Sequence, residues 1–302
     1  MVRPLILDGG LATSLEERGH RLHPRLWSAG VFINEPQAVE ELHLAFIEAG
    51  AEILISAGYQ MSFEGLQREG LSREASADAM RRTVATARRA AERAGRPDVT
   101  VAASIGPYGA TLCDGSEYRG DYGLTVQQLV EFHRERFAVL GGSGADLLAL
   151  ETVPSLDEAR ALLQLLSEKE GVSAWVSFSC RDDARIADGH EIREVAALCD
   201  DCPRVAAIGV NCTAPRHVAG LMDEIRRASG KPIVVYPNSG QRWDYEGRTW
   251  TGEADSEGFV RLAVEWVAKG AWAIGGCCRV GPETIRELRL AVRRAQDIDN
   301  CR

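Results

Sequence analysis

The sequence predicts a single (β/α)8 barrel, an α/β fold of the TIM type, with long βα loops over its C-terminal rim. Three observations predict it. Eight short β-branched or apolar runs alternate with eight amphipathic stretches along the 302 residues. No linker or low-complexity segment divides the chain, so 1–302 reads as one domain. About 250 residues is the usual size of one such barrel. A doubly wound open sheet is the competing arrangement, but no glycine-rich phosphate loop follows the first run at the required spacing.

The elements follow in order. Strand 4–7 precedes a helical pattern at 36–49, closed by Gly50. Strand 52–56 precedes helix 73–94, closed by Gly95. Strand 99–104 leads to helix 125–141, with Thr125 as its N-cap. Strand 146–150 leads to helix 155–168, opened by Ser155 with Glu158 three residues on and closed near Gly171. Strand 173–179 is followed by the least regular helical pattern, near 191–199. Strand 205–210 leads to helix 215–229 and Gly230, and strand 232–236 to helix 255–269 and Gly270. Strand 272–275 is last, before helix 282–296 with Pro282 in its first turn.

Composition narrows the function. The chain is 45% hydrophobic and 26% charged with a net charge of −9, enough apolar material for a sizeable core. The acidic balance argues against nucleic acid as a partner, because phosphate binding needs a concentrated basic face. The N-terminal apolar run is too short for a signal peptide, and no stretch approaches the ~18 apolar residues of a membrane span. A cytoplasmic enzyme of small molecules is expected, and nothing in the sequence marks an oligomer interface. In that compartment the eight Cys are not expected to form a disulfide framework; metal binding or catalysis is the better question.

In such a barrel, functional residues gather where strands end. Those positions hold Asp8, Ser56, Ser104, Glu151, Cys180, Asn211 with Cys212, Asn238, and Cys277 with Cys278. The loops 106–123 and 237–258 are long and rich in Gly, Tyr and Trp, as loops that cover a ligand are. Cys212 ends the sixth strand; Cys277 and Cys278 end the eighth. Adjacent residues of a regular strand face opposite ways, but Gly275-Gly276 lets the backbone leave the extended form, so both sulfurs could turn inward. Three thiolates suit zinc (Zn2+) and leave its fourth position open, the pattern of a catalytic site. Spacing alone favours packed core cysteines instead; the strand-end placement and the two glycines shift the reading toward a metal. Cys199-Asp-Asp-Cys202 belongs at the opposite rim, where its two acids oppose redox activity, and reads as structural. Cys113 and Cys301 read as incidental, and Cys180 as either core or a support of the site. His20 and His23 share a loop without a third ligand and read as surface or capping residues.

These motifs resemble the homocysteine S-methyltransferase family, zinc-thiolate methyltransferases that include betaine- and S-methylmethionine-dependent enzymes. The matching strings are Leu7-Asp-Gly-Gly-Leu-Ala-Thr, Ser56-Ala-Gly-Tyr-Gln, Leu150-Glu-Thr, Gly209-Val-Asn-Cys, Tyr236-Pro-Asn-Ser-Gly and Gly275-Gly-Cys-Cys-Arg. They run in family order over almost the whole chain, and the family fold is a (β/α)8 barrel. The resemblance implies that Cys212, Cys277 and Cys278 are the zinc ligands and that Asp8 and Glu151 hold the amino group of homocysteine. It makes Ser56 a contact for the amino-acid end and places Tyr59 and Asn238 on the donor side. Standing alone, Asp8 would read as a turn residue before Gly9-Gly10, and Glu151 as a helix-start acid. The chain departs from the family at Gln241, Gly58 and Val280-Gly281, positions that border the substrates and bear on the identity of the donor.

The implied reaction is zinc-assisted methyl transfer to the homocysteine thiol, giving methionine. A sulfonium donor such as S-methylmethionine, or S-adenosylmethionine, loses its charge in the transition state, which a dry anionic site favours. Betaine would need an aromatic cage, for which Tyr59, Tyr108, Trp243 and Trp250 are candidates. A folate or corrinoid donor would need a second domain. Two other classes compete. A Schiff-base lyase needs a Lys at a strand's C-terminal end, whereas Lys169, Lys231 and Lys269 lie on helices or before a strand. A non-catalytic zinc- or thiol-binding barrel would bind metal without turnover.

Overall fold

Parallel strands covered on one side by helices and packed on the other against each other's side chains carry apolar residues on both faces. The strands here do so throughout. They are β1 (Leu5–Ile6), β2 (Ile53–Ile55), β3 (Thr100–Ile105), β4 (Leu147–Val153), β5 (Ala174–Phe178), β6 (Val205–Asn211), β7 (Ile233–Tyr236) and, after a small hairpin of β8 (Arg242–Asp244) and β9 (Thr249–Thr251), β10 (Ala271–Ile274). In this computed structural model, which describes residues 3–244, 249–252 and 255–300, the eight barrel strands pair in the order β1-β10-β7-β6-β5-β4-β3-β2. All those pairings are parallel. A bridge between Leu7 and Ile53 joins the ends of the sheet, and the Asp8 amide donates to Ile53 O at 3.0 Å. The predicted barrel is the observed one.

The interior is filled by a cluster with a residue from each strand region, Leu7, Ile53, Ala102, Ala149, Trp175, Ala207, Val234 with Tyr236, and Ala273, against which Leu5, Ile55, Leu147 and Trp272 pack. Four of these are alanine, so one large side chain has room, and Trp175 takes it with no exposed surface. Gly209 makes that packing possible, since a Cβ there would lie 1.7 Å from Val234 O on the neighbouring strand. The larger core lies between the sheet and the ring of helices.

The eight crossover helices stand where their patterns place them, from Pro36–Ala49 to Pro282–Asn300. Thr125 caps its helix with a full capping box through Gln128. Two local expectations need correction. Gly230 does not take a left-handed turn; the helix Pro215–Ala228 ends on Ser229 in an extended conformation. Glu158 does not fold back on Ser155: only its amide is capped, while its carboxylate is claimed by His133 and by the Tyr108 amide. Three short helices, Leu11–Glu17, Ser28–Asn34 and Phe63–Arg68, were not expected; at six or seven residues they are too short for periodicity to mark. All three lie in βα loops and help build the rim. Among the described residues no helix is long and apolar enough to cross a membrane.

Candidate active site

A cavity of about 440 Å³ opens at the C-terminal end of the barrel. Of the residues the sequence singled out, Asp8's neighbours Gly9 and Gly10, and Ser56, Tyr59, Glu151, Cys212, Cys277 and Cys278 line it. Asp8 itself is buried directly beneath, at 2% exposure. Asn238 does not line the cavity; its amide donates to Thr213 O at 3.1 Å, tying the loop after β7 to the one after β6. Cys180 stands away from it too, its amide held by Thr213 Oγ1. The Cys199 and Cys202 pair is buried at the other rim, where burial raises the Cys199 thiol. His20 pairs with Glu35, and His23 accepts from the Arg25 and Leu26 amides, so both serve the surface.

The three cysteines converge. The Sγ atoms of Cys212, Cys277 and Cys278 all lie within 4.8 Å of one another, and Cys212 and Cys277 are joined as a disulfide, with Cα atoms 5.5 Å apart. That one pair departs from the expectation of unpaired thiols, and its cause is this convergence. The means of convergence also differs from the expected one. Gly275 and Gly276 are not in left-handed conformations; the positive φ falls on Cys212 (45°) and on Arg279 (63°). The glycines are required for close approach instead. A Cβ on Gly275 would lie 2.6 Å from Asp8 O, and one on Gly276 would lie 2.1 Å from Val280 Cγ1.

Backbone strain concentrates here. Among the described residues the non-glycine positions with positive φ are Trp27, Cys113, Thr152, Cys212 and Arg279. The first four line the cavity, and the fifth follows Cys278. Such conformations cost on the order of 1–3 kcal/mol each and persist where surrounding contacts enforce them. Thr152, β-branched and at φ 59°, is held by Asn211, whose Oδ1 accepts from the Thr152 amide at 2.8 Å and whose Nδ2 donates to Thr152 Oγ1 at 2.7 Å.

The acids occupy a connected network. Asp8 Oδ2 accepts from the Ile55 amide at 2.9 Å, while its Oδ1 is buried with no partner. Burial raises the Asp8 carboxyl well above its ordinary range, the backbone hydrogen bond opposes that, and the charge of Glu151 adds to it. Glu151 accepts from Ser104 Oγ and is pushed up to about 7 by burial, against the opposing hydrogen bonds of Ser104 and Tyr236. The Tyr236 hydroxyl in turn meets Ser177 Oγ at 2.6 Å and accepts from Trp175 Nε1 at 2.9 Å. The side chain that fills the barrel thus also supports the acid at its mouth. Ser56 Oγ accepts from the Ser104 amide and from Thr83 Oγ1, both at 3.2 Å.

Sequence reasoning missed several lining residues: Trp27, Gln60, Cys113, Glu117, Tyr118 and Tyr236. Cys113 was expected to be incidental, but the loop after β3 carries it to the cavity. Glu117 is an acid from the same loop, pushed up to about 7 mainly by burial, and its Oε2 is buried with no partner. The only forewarning was that loop's length and aromatic content. Of the four aromatics considered for a cage, Tyr59 lines the cavity and Tyr108 packs edge-on against Tyr122 and Phe132; the side chains of Trp243 and Trp250 lie outside the described residues.

A buried ion cluster anchors the loops that bring Tyr59 and Glu117. Arg136 is 1% exposed; it donates to Met61 O, Gly106 O and His133 Nδ1, clamping the loops after β2 and β3. His133 is pushed down to about 4 by burial and by Arg136. It is therefore neutral, and its Nε2–H donates to Glu158 at 2.8 Å.

The residues fit a thiophilic metal. Zinc holds sulfur at ~2.3 Å in tetrahedral geometry, and three sulfurs already within 4.8 Å of one another need only reduction of one bond and small rotations to reach it. The cysteines follow the ends of β6 and β10, strands on either side of β7, and the cavity leaves room for a fourth ligand.

The chain and its fold are similar to those of known proteins. A family model for homocysteine S-methyltransferases matches residues 5–292. Homocysteine S-methyltransferase 4 of Zea mays is 46% identical, covering 96% of this chain and 90% of its own length. The homocysteine S-methyltransferase YbgG of Bacillus subtilis is 43% identical, covering 96% and 94%. Among solved structures, the homocysteine methyltransferase MmuM of Escherichia coli superimposes at 40% identity in two states. Its oxidized form gives a TM-score of 0.86 over 95% of both chains, and its metallated form 0.84 over 96% of both.

Proposed function

This chain belongs to the homocysteine S-methyltransferase family, and from that premise we propose that it transfers a methyl group from a sulfonium donor, S-methylmethionine, to homocysteine at a zinc ion held by Cys212, Cys277 and Cys278. The observation that carries this reading is three cysteine sulfurs within 4.8 Å of one another in a cavity lined by Glu151, with Asp8 buried beneath it. Zinc, when bound, would favour the thiolate form of a substrate thiol at neutral pH.

The chain's own residues do the rest. Asp8 Oδ1, buried and without a partner, and Glu151 take the ammonium of homocysteine. Ser104 and Tyr236 keep the Glu151 carboxylate aimed, so the chain bearing the thiol has one orientation. The homocysteine sulfur attacks the methyl carbon in line; its electron pair forms the new S–C bond. The old C–S bond breaks, and its pair returns to the donor sulfur, which leaves as a neutral thioether. Positive charge disappears from the donor as it reacts, and a cavity that keeps water from solvating that charge favours the change over bulk water.

S-Adenosylmethionine carries the same sulfonium chemistry, so it is the comparison donor. The test is zinc content of reduced protein, together with methionine formation from homocysteine and each of S-methylmethionine, S-adenosylmethionine and betaine. One zinc per chain and turnover with S-methylmethionine are expected. Zinc-free reduced protein, or full activity in Cys278→Ala, would overturn the metal mechanism; turnover with betaine alone would overturn the donor.

A further inference from the structure

Three buried acceptor oxygens at this cavity have no hydrogen-bond donor: Asp8 Oδ1, Gln60 Oε1 and Glu117 Oε2. Buried acceptors are nearly always satisfied in a folded protein, so orphans on Gln60 and Glu117, which line the cavity, and on Asp8 beneath it mark where ligand N–H groups belong. The proposed function uses only the first of them.

The orphans divide into two centres. Asp8 and Glu151 stand near the ends of β1 and β4, and the charge of Glu151 bears on Asp8. Glu117 comes from the loop after β3 and Gln60 from the loop after β2. The charged groups that bear on Glu117 are Asp114 and Arg119, not Asp8 or Glu151. Arg119 is committed to Asp114, Asp121 and Ser116, so it does not satisfy Glu117 Oε2. Gln60 is only 9% exposed, and its amide oxygen cannot turn to bulk water. Both acidic centres bear on Cys278 and on Tyr59. Glu117 and Glu151 thus both bear on Cys278, and Gln60 and Glu117 line the same cavity as the three cysteines, an arrangement suited to two amino acids meeting over one sulfur centre.

We propose that Glu117, assisted by Gln60 Oε1, is the recognition site for the ammonium group of the methyl donor. The idea rests on the reading that Asp8 and Glu151 hold homocysteine. It deepens that reading by assigning the donor a chemical class: a sulfonium that also bears a primary ammonium. The sulfonium itself cannot satisfy Glu117 Oε2, because it has no hydrogen to donate, and neither can a quaternary ammonium. An α-amino group donates up to three, enough for both Glu117 and Gln60.

The test compares S-methylmethionine with its des-amino analogue, the same sulfonium carboxylate without the amino group, in wild-type protein and in Glu117→Gln. In wild type, KM for S-methylmethionine should be about tenfold or more below that for the analogue, the size of a charge-assisted hydrogen bond. In Glu117→Gln that preference should collapse to about twofold while KM for homocysteine stays within about twofold of wild type. Equal use of both donors by wild type would overturn the proposal and leave the methyl-transfer reading intact. So would a Glu117→Gln protein that raises KM for homocysteine but keeps its donor preference. Turnover by wild type with betaine but with no sulfonium amino acid would overturn both. Should Glu117→Gln fail to fold, equilibrium binding of the two donors to wild-type zinc protein decides: equal Kd values would overturn the proposal.

Discussion

Asn211 grips Thr152 at both ends of its amide, accepting from the Thr152 backbone at 2.8 Å and donating to its hydroxyl at 2.7 Å. The residue gripped is a β-branched one at φ 59°, directly after Glu151; the residue gripping directly precedes Cys212. One side chain therefore couples the acid of β4 to the thiol of β6. Asn211→Ala would leave two Thr152 groups and Ser177 Oγ short of a partner. It should cost ~2–3 kcal/mol in urea unfolding, the range for buried groups left unsatisfied, and weaken both zinc and homocysteine binding. Full zinc affinity in a destabilised Asn211→Ala would show that the coupling is structural only.

Glu151 gives the site a pH dependence whose sign follows from its environment. Burial pushes its carboxyl from 4.5 up to about 7. Binding an ammonium requires the carboxylate, so KM for homocysteine should rise as pH falls below about 7, approaching tenfold per unit. In Glu151→Gln, KM should be high and nearly flat from pH 8 to 6. Stability runs the other way. A raised acid favours the fold below about 4.5 and loses that contribution as pH rises through about 7, so ligand-free Glu151→Gln should lose less stability over that window than wild type. Parallel curves would refute the assignment.

Arg136 tests whether the buried cluster positions the site. Replacing it by Met removes donors from Met61 O, Gly106 O and His133, together with a buried positive charge whose field includes Glu158. Buried acceptors left unsatisfied cost ~1–3 kcal/mol each, measurable by urea unfolding. KM for the methyl donor should rise more than KM for homocysteine, because the clamped loops carry Tyr59 and Glu117 whereas Glu151 stands on β4 and Asp8 is tied to the barrel just past β1.

The Cys212–Cys277 disulfide and a metal held by the same two sulfurs are mutually exclusive, since a ligating sulfur must be a thiolate. Protein kept oxidised should bind no zinc and form no methionine. Reduction followed by zinc should restore both, with free thiols per chain rising by two by thiol titration. One zinc per chain with the disulfide intact would sink the ligand assignment.

The barrel was legible because its determinants are local. Each strand is a short apolar run, each crossover helix a periodic one, and caps such as Thr125 and Gly50 are set by residues next to them. Cys212, Cys277, Cys278 and Glu151 were legible because a barrel maps strand ends to one rim. Gly230 misled because a glycine after a helix permits a left-handed cap without requiring one. Asn238 followed a strand as the others did, yet it does not line the cavity, and its amide ties its loop to the one after β6. Glu158 looked like half of a capping box, and the neutral His133 beside it competed for its carboxylate.

By itself, then, the sequence determined the strand and helix order, the rim where strand-end residues gather, and the three cysteines and two acids that stand there. Tertiary structure decided the rest. It put positive φ on Cys212 and Arg279 and close packing on Gly275 and Gly276. It brought Glu117 and Gln60 into a cavity where their oxygens have no partner. The physical reason is that periodicity and capping act over a few residues, whereas burial depends on what the fold lays on top. A loop acid has the same sequence appearance whether water solvates it or a protein wall does, and only the second makes it a binding group.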